Sequence, residues 1–312
     1  MKKLFIILTI LISSVLLFSC TKKENVNTEE KKVSEETTNE SKEENVEQKE
    51  VENTESKKVI AGTMAVTNLL DKLEYENVIG VPESHYPMPE RYKDVTNIGS
   101  PRNPDAEVIK SLNPDLFITE SSLKEIISKN IANLNIPVDF TNMKSYDEII
   151  ESIRYISDIL GTTEKAEELI SEIKNDRKTA EQNAEGKTSP KILAMLANPK
   201  SVMAATDKSY LGDLLNILHA DNIVKHDEAY IPFSLENIIE QDPDYILIMS
   251  HGNIEMSKKI LKEQFESNPA WNNLKATKNN HIIYLDDALF NNSGNVFVGQ
   301  ALKDLSNIIY EN

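Results

Sequence analysis

Cysteine occurs once in the 312 residues, at Cys20. A lone cysteine excludes an internal disulfide framework, so the core alone has to hold the fold. Arginine is also scarce, present only as Arg91, Arg102, Arg154 and Arg177. Positive charge is outweighed throughout: Asp and Glu number 51 against 34 Lys and Arg, for a net charge of −17. That balance supports solubility and gives no basic footprint for nucleic acid. The five histidines are scattered, with no His-rich loop of the kind that gathers zinc or manganese ligands. No Gly-x-Ser-x-Gly, His-Glu-x-x-His or phosphate loop occurs, so no enzymatic activity is expected. The one long apolar run, "LFIILTILISSVLLF" (4–18), is short for a membrane span.

What is present at the start reads as targeting. Lys2 and Lys3 precede the apolar run, and Leu17-Phe18-Ser19-Cys20 follows it. This resembles a bacterial lipoprotein cleavage box, which makes residues 1–19 a lipoprotein signal peptide and Cys20 the lipidated first residue, a membrane anchor. The plainer alternative is a secretory signal with a chance cysteine. Residues 20–58 are expected to form a disordered, charged tether. From 21 to 58 there is no aromatic, Leu or Ile, against 12 Glu and 8 Lys, so the segment has nothing to bury.

From Val59 the chain alternates strand and helix patterns, which predicts an α/β protein with mainly parallel sheets. Val59-Ile60-Ala61 reads as a strand and Gly62-Thr63 as a helix start, with Ala65, Leu69, Leu70 and Leu73 inward. Val78–Val81 is a second strand, followed by the proline-broken loop "PESHYPMPERYKDV". Residues 59–144 form an N-terminal lobe. Residues 145–186 are a helical connecting segment, with apolar faces Ile149, Ile153, Ile156, Leu160 and Ala166, Leu169, Ile170, Ile173. Gly161-Thr162-Thr163 breaks it, with Thr163 as the cap of a helix from 163 to about 184. At about 1.5 Å per residue, that helix is a stiff strut of roughly 30 Å. Alternation resumes over 187–312, a C-terminal lobe. Two lobes joined by one rigid helix place a ligand cleft between the lobes, at the carboxyl ends of the strands.

One unit recurs. "EVIKSLNPDLFITE" and "ENIIEQDPDYILIMSHG" each run from a Glu to a Pro-Asp seven residues on and then into a strand, with Glu107 and Glu236 129 positions apart. The cleavage box, the tether, the two lobes and this pair together resemble the lipoproteins that bind siderophores, cobalamin or haem for ABC importers. The resemblance implies a monomer on the outer face of the cell membrane that delivers ligand to a permease and its ATPase. It also implies that Glu107 and Glu236 dock on that permease.

"ATDKSYLGDLL" (205–215), "LENIIEQDPDYILIMSHG" (235–252), "WNNLKATKNNHIIYL" (271–285) and "PERYKDVTNIG" (89–99) most resemble the staphylococcal haem-binding branch. In that branch the histidine before the glycine at this strand end is an axial iron ligand, which assigns His251 to haem iron. His219, His226 and His281 read as structural or exposed. The branch's second ligand is a methionine, and its position here holds Arg102. Arginine cannot ligate iron. The alternatives are another cleft residue (Met88 or Met64 by softness, His85 or Tyr86 by chemistry), five-coordinate iron with water, or a different tetrapyrrole or chelate whose carboxylates pair with Arg102. Met64 and Ala65 open a helix whose amides suit a propionate. The expected function is thus haem capture for import. Cobalamin, through "HYPMPERY", and a ferric siderophore, weakened by the few arginines, are the alternatives, and a metal-ion-binding lipoprotein stands further off.

Overall fold

The computed structural model describes residues 56–291 and 293–311. The signal peptide, Cys20 and the tether up to residue 55 lie outside the described residues.

The N-terminal half builds a five-stranded, all-parallel sheet from β1 (Val59–Ala61), β2 (Val78–Val81), β3 (Thr96–Asn97), β6 (Leu116–Glu120) and β7 (Val138–Thr141), in the order β3-β2-β1-β6-β7. A small hairpin of β4 (Gly99–Ser100) and β5 (Asn103–Pro104) carries Arg102 near its tip. Helices α1 (Met64–Lys72), α2 (Ala106–Leu112) and α3 (Lys124–Asn130) are its crossovers. Helices α4 (Tyr146–Leu160) and α5 (Thr163–Ala184) follow. The second sheet contains β8 (Lys191–Asn198), β9 (Ser201–Ala205), β10 (Asp221–Asn222), β11 (Tyr230–Ile231), β12 (Tyr245–Ser250) and β13 (Ile282–Tyr284). Its order is β11-β9-β8-β12-β13, with β10 also on β8. Helices α6 (Tyr210–Ile217), α7 (Leu235–Gln241), α8 (Ile254–Glu266), α9 (Lys275–Lys278) and α10 (Val298–Tyr310) complete it. Among the described residues, no helix is long and apolar enough to cross a membrane.

The repeated unit is the same structure built twice. Asp105 and Ser234 cap α2 and α7 through their side chains. Glu107 and Glu236 both sit second in their helices, exposed. Each helix ends on a left-handed residue, Asn113 or Asp242, both at φ 47°. A proline follows, which cannot continue the helix. The next aspartate then pins the start of the neighbouring strand. Asp115 accepts from the Lys58 amide at 2.8 Å and Asp244 from the Lys191 amide at 2.9 Å.

Alternation along the strands sorts the core. Val59, Ala61, Ile192, Ala194 and Leu196 face one continuous cluster that also takes in α1, α4, α5, α6 and α10. The intervening Ile60, and Leu193 with Met195, face two separate outer clusters, the second built around Trp271. One core therefore runs through both sheets and the helices between them.

Some expectations are corrected. Thr162, not Thr163, precedes α5, and no side chain caps it. Ala65 is partly exposed at the cleft, and Val66 takes the inward position instead. The second sheet is mainly parallel, as expected, with two antiparallel pairings, β8–β9 and β9–β11. Asn198 makes the β8–β9 turn by accepting from the amides of Lys200 and Ser201 at 2.9 and 3.0 Å. α5 is about 33 Å long at about 1.5 Å per residue. It is braced, not bare: Lys165 pairs with Glu74 beside α1 at 3.4 Å, and Asp176 pairs with Lys303 on α10 at 2.8 Å.

Candidate functional site

The carboxyl ends of β1, β2, β6 and β12 open on one cleft of about 780 Å³. This is within the size range of sites for drug-sized ligands. His251, Met88, Tyr86, Met64, Ala65 and Arg102 all line it. Glu107 and Glu236 are not among its lining residues.

His251 is fixed through its backbone. β12 is buried along its whole length, and His251 extends its pairing by donating its amide to the Ala197 carbonyl at 3.0 Å. The His251 carbonyl accepts from the Ser257 hydroxyl at 3.2 Å. Gly252 at φ 76° turns the chain away into α8, a conformation that side chains with a Cβ rarely adopt. The imidazole stays exposed to the cleft, with Nδ1 2.6 Å from Asn291 Oδ1.

Tyr86 comes from the opposite sheet, in the loop after β2. Glu83 anchors the loop start by donating its amide to Gly99 O at 2.8 Å, and Tyr92 anchors the far end through a 2.6 Å bond to Tyr75 O. The Tyr86 hydroxyl accepts from Asn291 Nδ2 at 3.0 Å. Burial, then the nearby Asp287 carboxylate, pushes its pKa up to about 12, so it is a neutral phenol at neutral pH. The His85 ring lies 4.0 Å away, tilted by 40°. Met88 is partly buried and packs on the main core, whereas Met64 is the first residue of α1. Thr63 caps that helix by accepting from Val66 N at 3.3 Å, and the amides of Met64 and Ala65, as first-turn groups, have no partner within the helix.

Electrostatically the cleft is mixed. Glu120, the last residue of β6, accepts a 2.8 Å bond from Ser293 across the cleft. Burial raises its pKa, against hydrogen bonds from Ser293 and Thr63 and the charge of His251. Arg91, Arg154 and Arg177 are paired with Asp71 and Glu76, Glu167 and Glu181 respectively. Among the described residues, no ion pair holds Arg102.

Glu120, Asp287, Asn291 and Ser293 went unread in the sequence. Glu120 carried a usable signal: it ends a buried strand, as His251 follows one, and strand ends face the ligand. Asn291 and Ser293 lie in "FNNSGN", whose turn-forming composition says nothing about what it faces. Among the described residues, no group of three or more His, Cys, Asp or Glu is arranged to hold a metal ion.

Residues 59–289 match the family model for periplasmic binding proteins. The chain belongs to that family. It is 34% identical over 256 residues to the high-affinity heme uptake system protein IsdE of Staphylococcus aureus, covering 81% of this chain and 87% of that one. The solved structure of S. aureus IsdE complexed with heme superposes with a TM-score of 0.77 at 33% identity, over 82% of this chain and all of that one. An ABC transporter substrate-binding protein from Listeria monocytogenes EGD-e gives a TM-score of 0.76 at 28% identity, over 83% of this chain and all of that one. The two-lobed α/β architecture of this binding-protein family is thus the architecture of this chain.

Proposed function

We propose that this protein captures haem outside the cell membrane and hands it to an ABC importer. The observation that carries the reading is His251, an imidazole on a strand end whose backbone is pinned, facing a cleft of about 780 Å³, in a chain a third identical to a heme uptake protein. His251 is the axial iron ligand in this reading. From the opposite lobe, Met64 and Met88 offer soft thioethers. Met64 is the better placed, because Met88 is also used in packing. Arg102 and the first-turn amides of α1, at Met64 and Ala65, receive the propionates. A triscatecholate siderophore is disfavoured, since one arginine faces Glu83, Glu120 and Asp287 around the same cleft.

Cys20 carries the lipid anchor and the charged segment after it the tether, which ends where Ser56, Lys57 and Lys58 bond to Asn77, Tyr75 and Asp115, with lobes at 59–144 and 187–312 joined by 145–186. Glu107 and Glu236 meet basic residues of the permease, one from each lobe. The experiment is an absorbance titration of residues 21–312 with hemin and, in parallel, cobalamin, for wild type and His251→Ala. A saturable Soret shift that is altered in the variant supports the reading. Saturation by cobalamin alone moves the assignment to corrinoids. Hemin dimethyl ester isolates Arg102: Arg102→Gln should weaken hemin and leave the ester unchanged. In cells, the Glu107→Lys, Glu236→Lys double variant should abolish uptake of haem iron, and normal uptake would sink the docking role.

A further inference from the structure

Three polar side chains run in series across the cleft: Tyr86, Asn291 and His251. Tyr86 belongs to the N-terminal lobe, and the other two belong to the C-terminal lobe. Donor and acceptor chemistry gives the series a direction. The Tyr86 hydroxyl oxygen accepts from Asn291 Nδ2 at 3.0 Å, and an amide nitrogen can only donate. The amide is thereby turned so that Oδ1 faces His251 Nδ1 at 2.6 Å. An oxygen without a hydrogen requires one on the imidazole nitrogen. Nδ1 carries the proton, and in the neutral ring Nε2 keeps its lone pair.

We propose that this series is a positioning relay in which Tyr86 orients Asn291, and Asn291 locks His251 in the Nδ1–H tautomer that presents Nε2 to the ligand's metal. It follows that Tyr86 is a positioning residue and not an iron ligand. Because Tyr86 comes from the opposite lobe, the imidazole is prepared only while its loop is seated on the C-terminal lobe. The ligand half of this inference rests on the haem reading; the tautomer half does not.

The test uses protein labelled with 15N-histidine and free of ligand. A long-range 1H–15N spectrum reads the tautomer of each ring, with His251 assigned by its loss in His251→Gln. The wild type should show Nδ1–H at His251. Asn291→Leu should move the population toward Nε2–H and weaken hemin binding by about tenfold or more, the usual scale for losing the partner that orients a metal-bound histidine. Asn291→Asp restores an acceptor and should return both readouts to wild type. Tyr86→Phe should weaken hemin binding while keeping the wild-type shape of the Soret band. An Nε2–H wild type, or an Asn291→Leu variant unchanged in spectrum and affinity, overturns the relay. A Tyr86→Phe band altered as in His251→Ala makes Tyr86 a ligand and overturns its assigned role. If hemin does not bind the wild type, the haem reading fails by itself, and the ligand-free spectra still decide the relay.

Discussion

Replacing Gly212 by alanine sets two rules against each other. Gly212 is the third residue of α6, where alanine is the better helix former by about 1 kcal/mol. The structure predicts the opposite outcome. A Cβ at Gly212 would lie 2.0 Å from the Thr206 carbonyl oxygen and 2.7 Å from Asp207 Cα. A comfortable carbon–oxygen approach is about 3.3 Å, so one backbone must retreat by more than about 1 Å. The Thr206 segment is poorly able to do so. Its amide donates to Ala229 O at 3.0 Å, and its hydroxyl donates to Glu228 O at 2.8 Å. Its carbonyl accepts from both the amide and the hydroxyl of Ser209, at 3.1 and 2.7 Å. The same Ser209 hydroxyl caps α6 by accepting from Gly212 N at 3.0 Å.

Retreat therefore breaks about two hydrogen bonds at about 1 kcal/mol each and a cap worth about 1 kcal/mol. Overpacking strain of about 1–3 kcal/mol adds to this. Against the helix-forming gain, the net loss is about 3–5 kcal/mol. Urea unfolding followed by circular dichroism measures it. With m of about 3 kcal/mol/M, the midpoint should fall by more than about 1 M. Asn216→Ala, exposed one turn further along α6, is the control and should stay level or gain slightly. A Gly212→Ala midpoint within about 0.3 M of wild type would refute the argument, because the backbone could then make room at little cost.

Two further predictions concern charge. The raised pKa of Glu120 means that its stabilising contribution is complete below the ordinary carboxylate value of 4.5 and is lost as pH rises through the folded-state value. The ligand-free Glu120→Gln variant should accordingly unfold at higher urea than wild type at pH 7, and the two midpoints should converge near pH 4. Asp115→Ala and Asp244→Ala remove equivalent bonds from the two copies of the repeated unit. Each should cost about 1 kcal/mol and the double variant about the sum, since the sites lie in separate sheets. Chemical denaturation of the three variants checks this.

The repeated unit was legible because everything that makes it is local. A capped helix, a left-handed stop, a proline and an apolar run all lie within about fifteen residues of chain. α5 was legible for a related reason, a sustained apolar face between two breaks. The antiparallel β9 and β11 were not read, because a short, partly exposed strand such as Ser201–Ala205 gains its identity from its partner. The site divides in the same way. His251 follows from its place after a buried strand, and the same rule would have given Glu120. Asn291 belongs to a loop, and its role depends on what Tyr86 brings to it from 205 residues away in the chain. Pairings of that kind leave no periodicity behind.

How the cleft admits its ligand follows from comparing two sorts of contact between the lobes. The polar bridges, Ser293 to Glu120 and Asn291 to Tyr86, are worth about 1 kcal/mol each and can be exchanged for bonds to a ligand. The apolar contact is one core running through both sheets, α4, α5 and α10. Opening it would expose several large side chains at about 1.5–3 kcal/mol each. The cheap route is movement of the Tyr86 loop and the cleft side chains over lobes that stay put. Small-angle scattering should give superimposable curves for residues 21–312 with and without hemin, because the shared apolar core holds the lobes together whichever groups fill the cleft. A clear contraction on hemin binding would mean that the lobes separate when empty and that the shared core does not hold them together in solution.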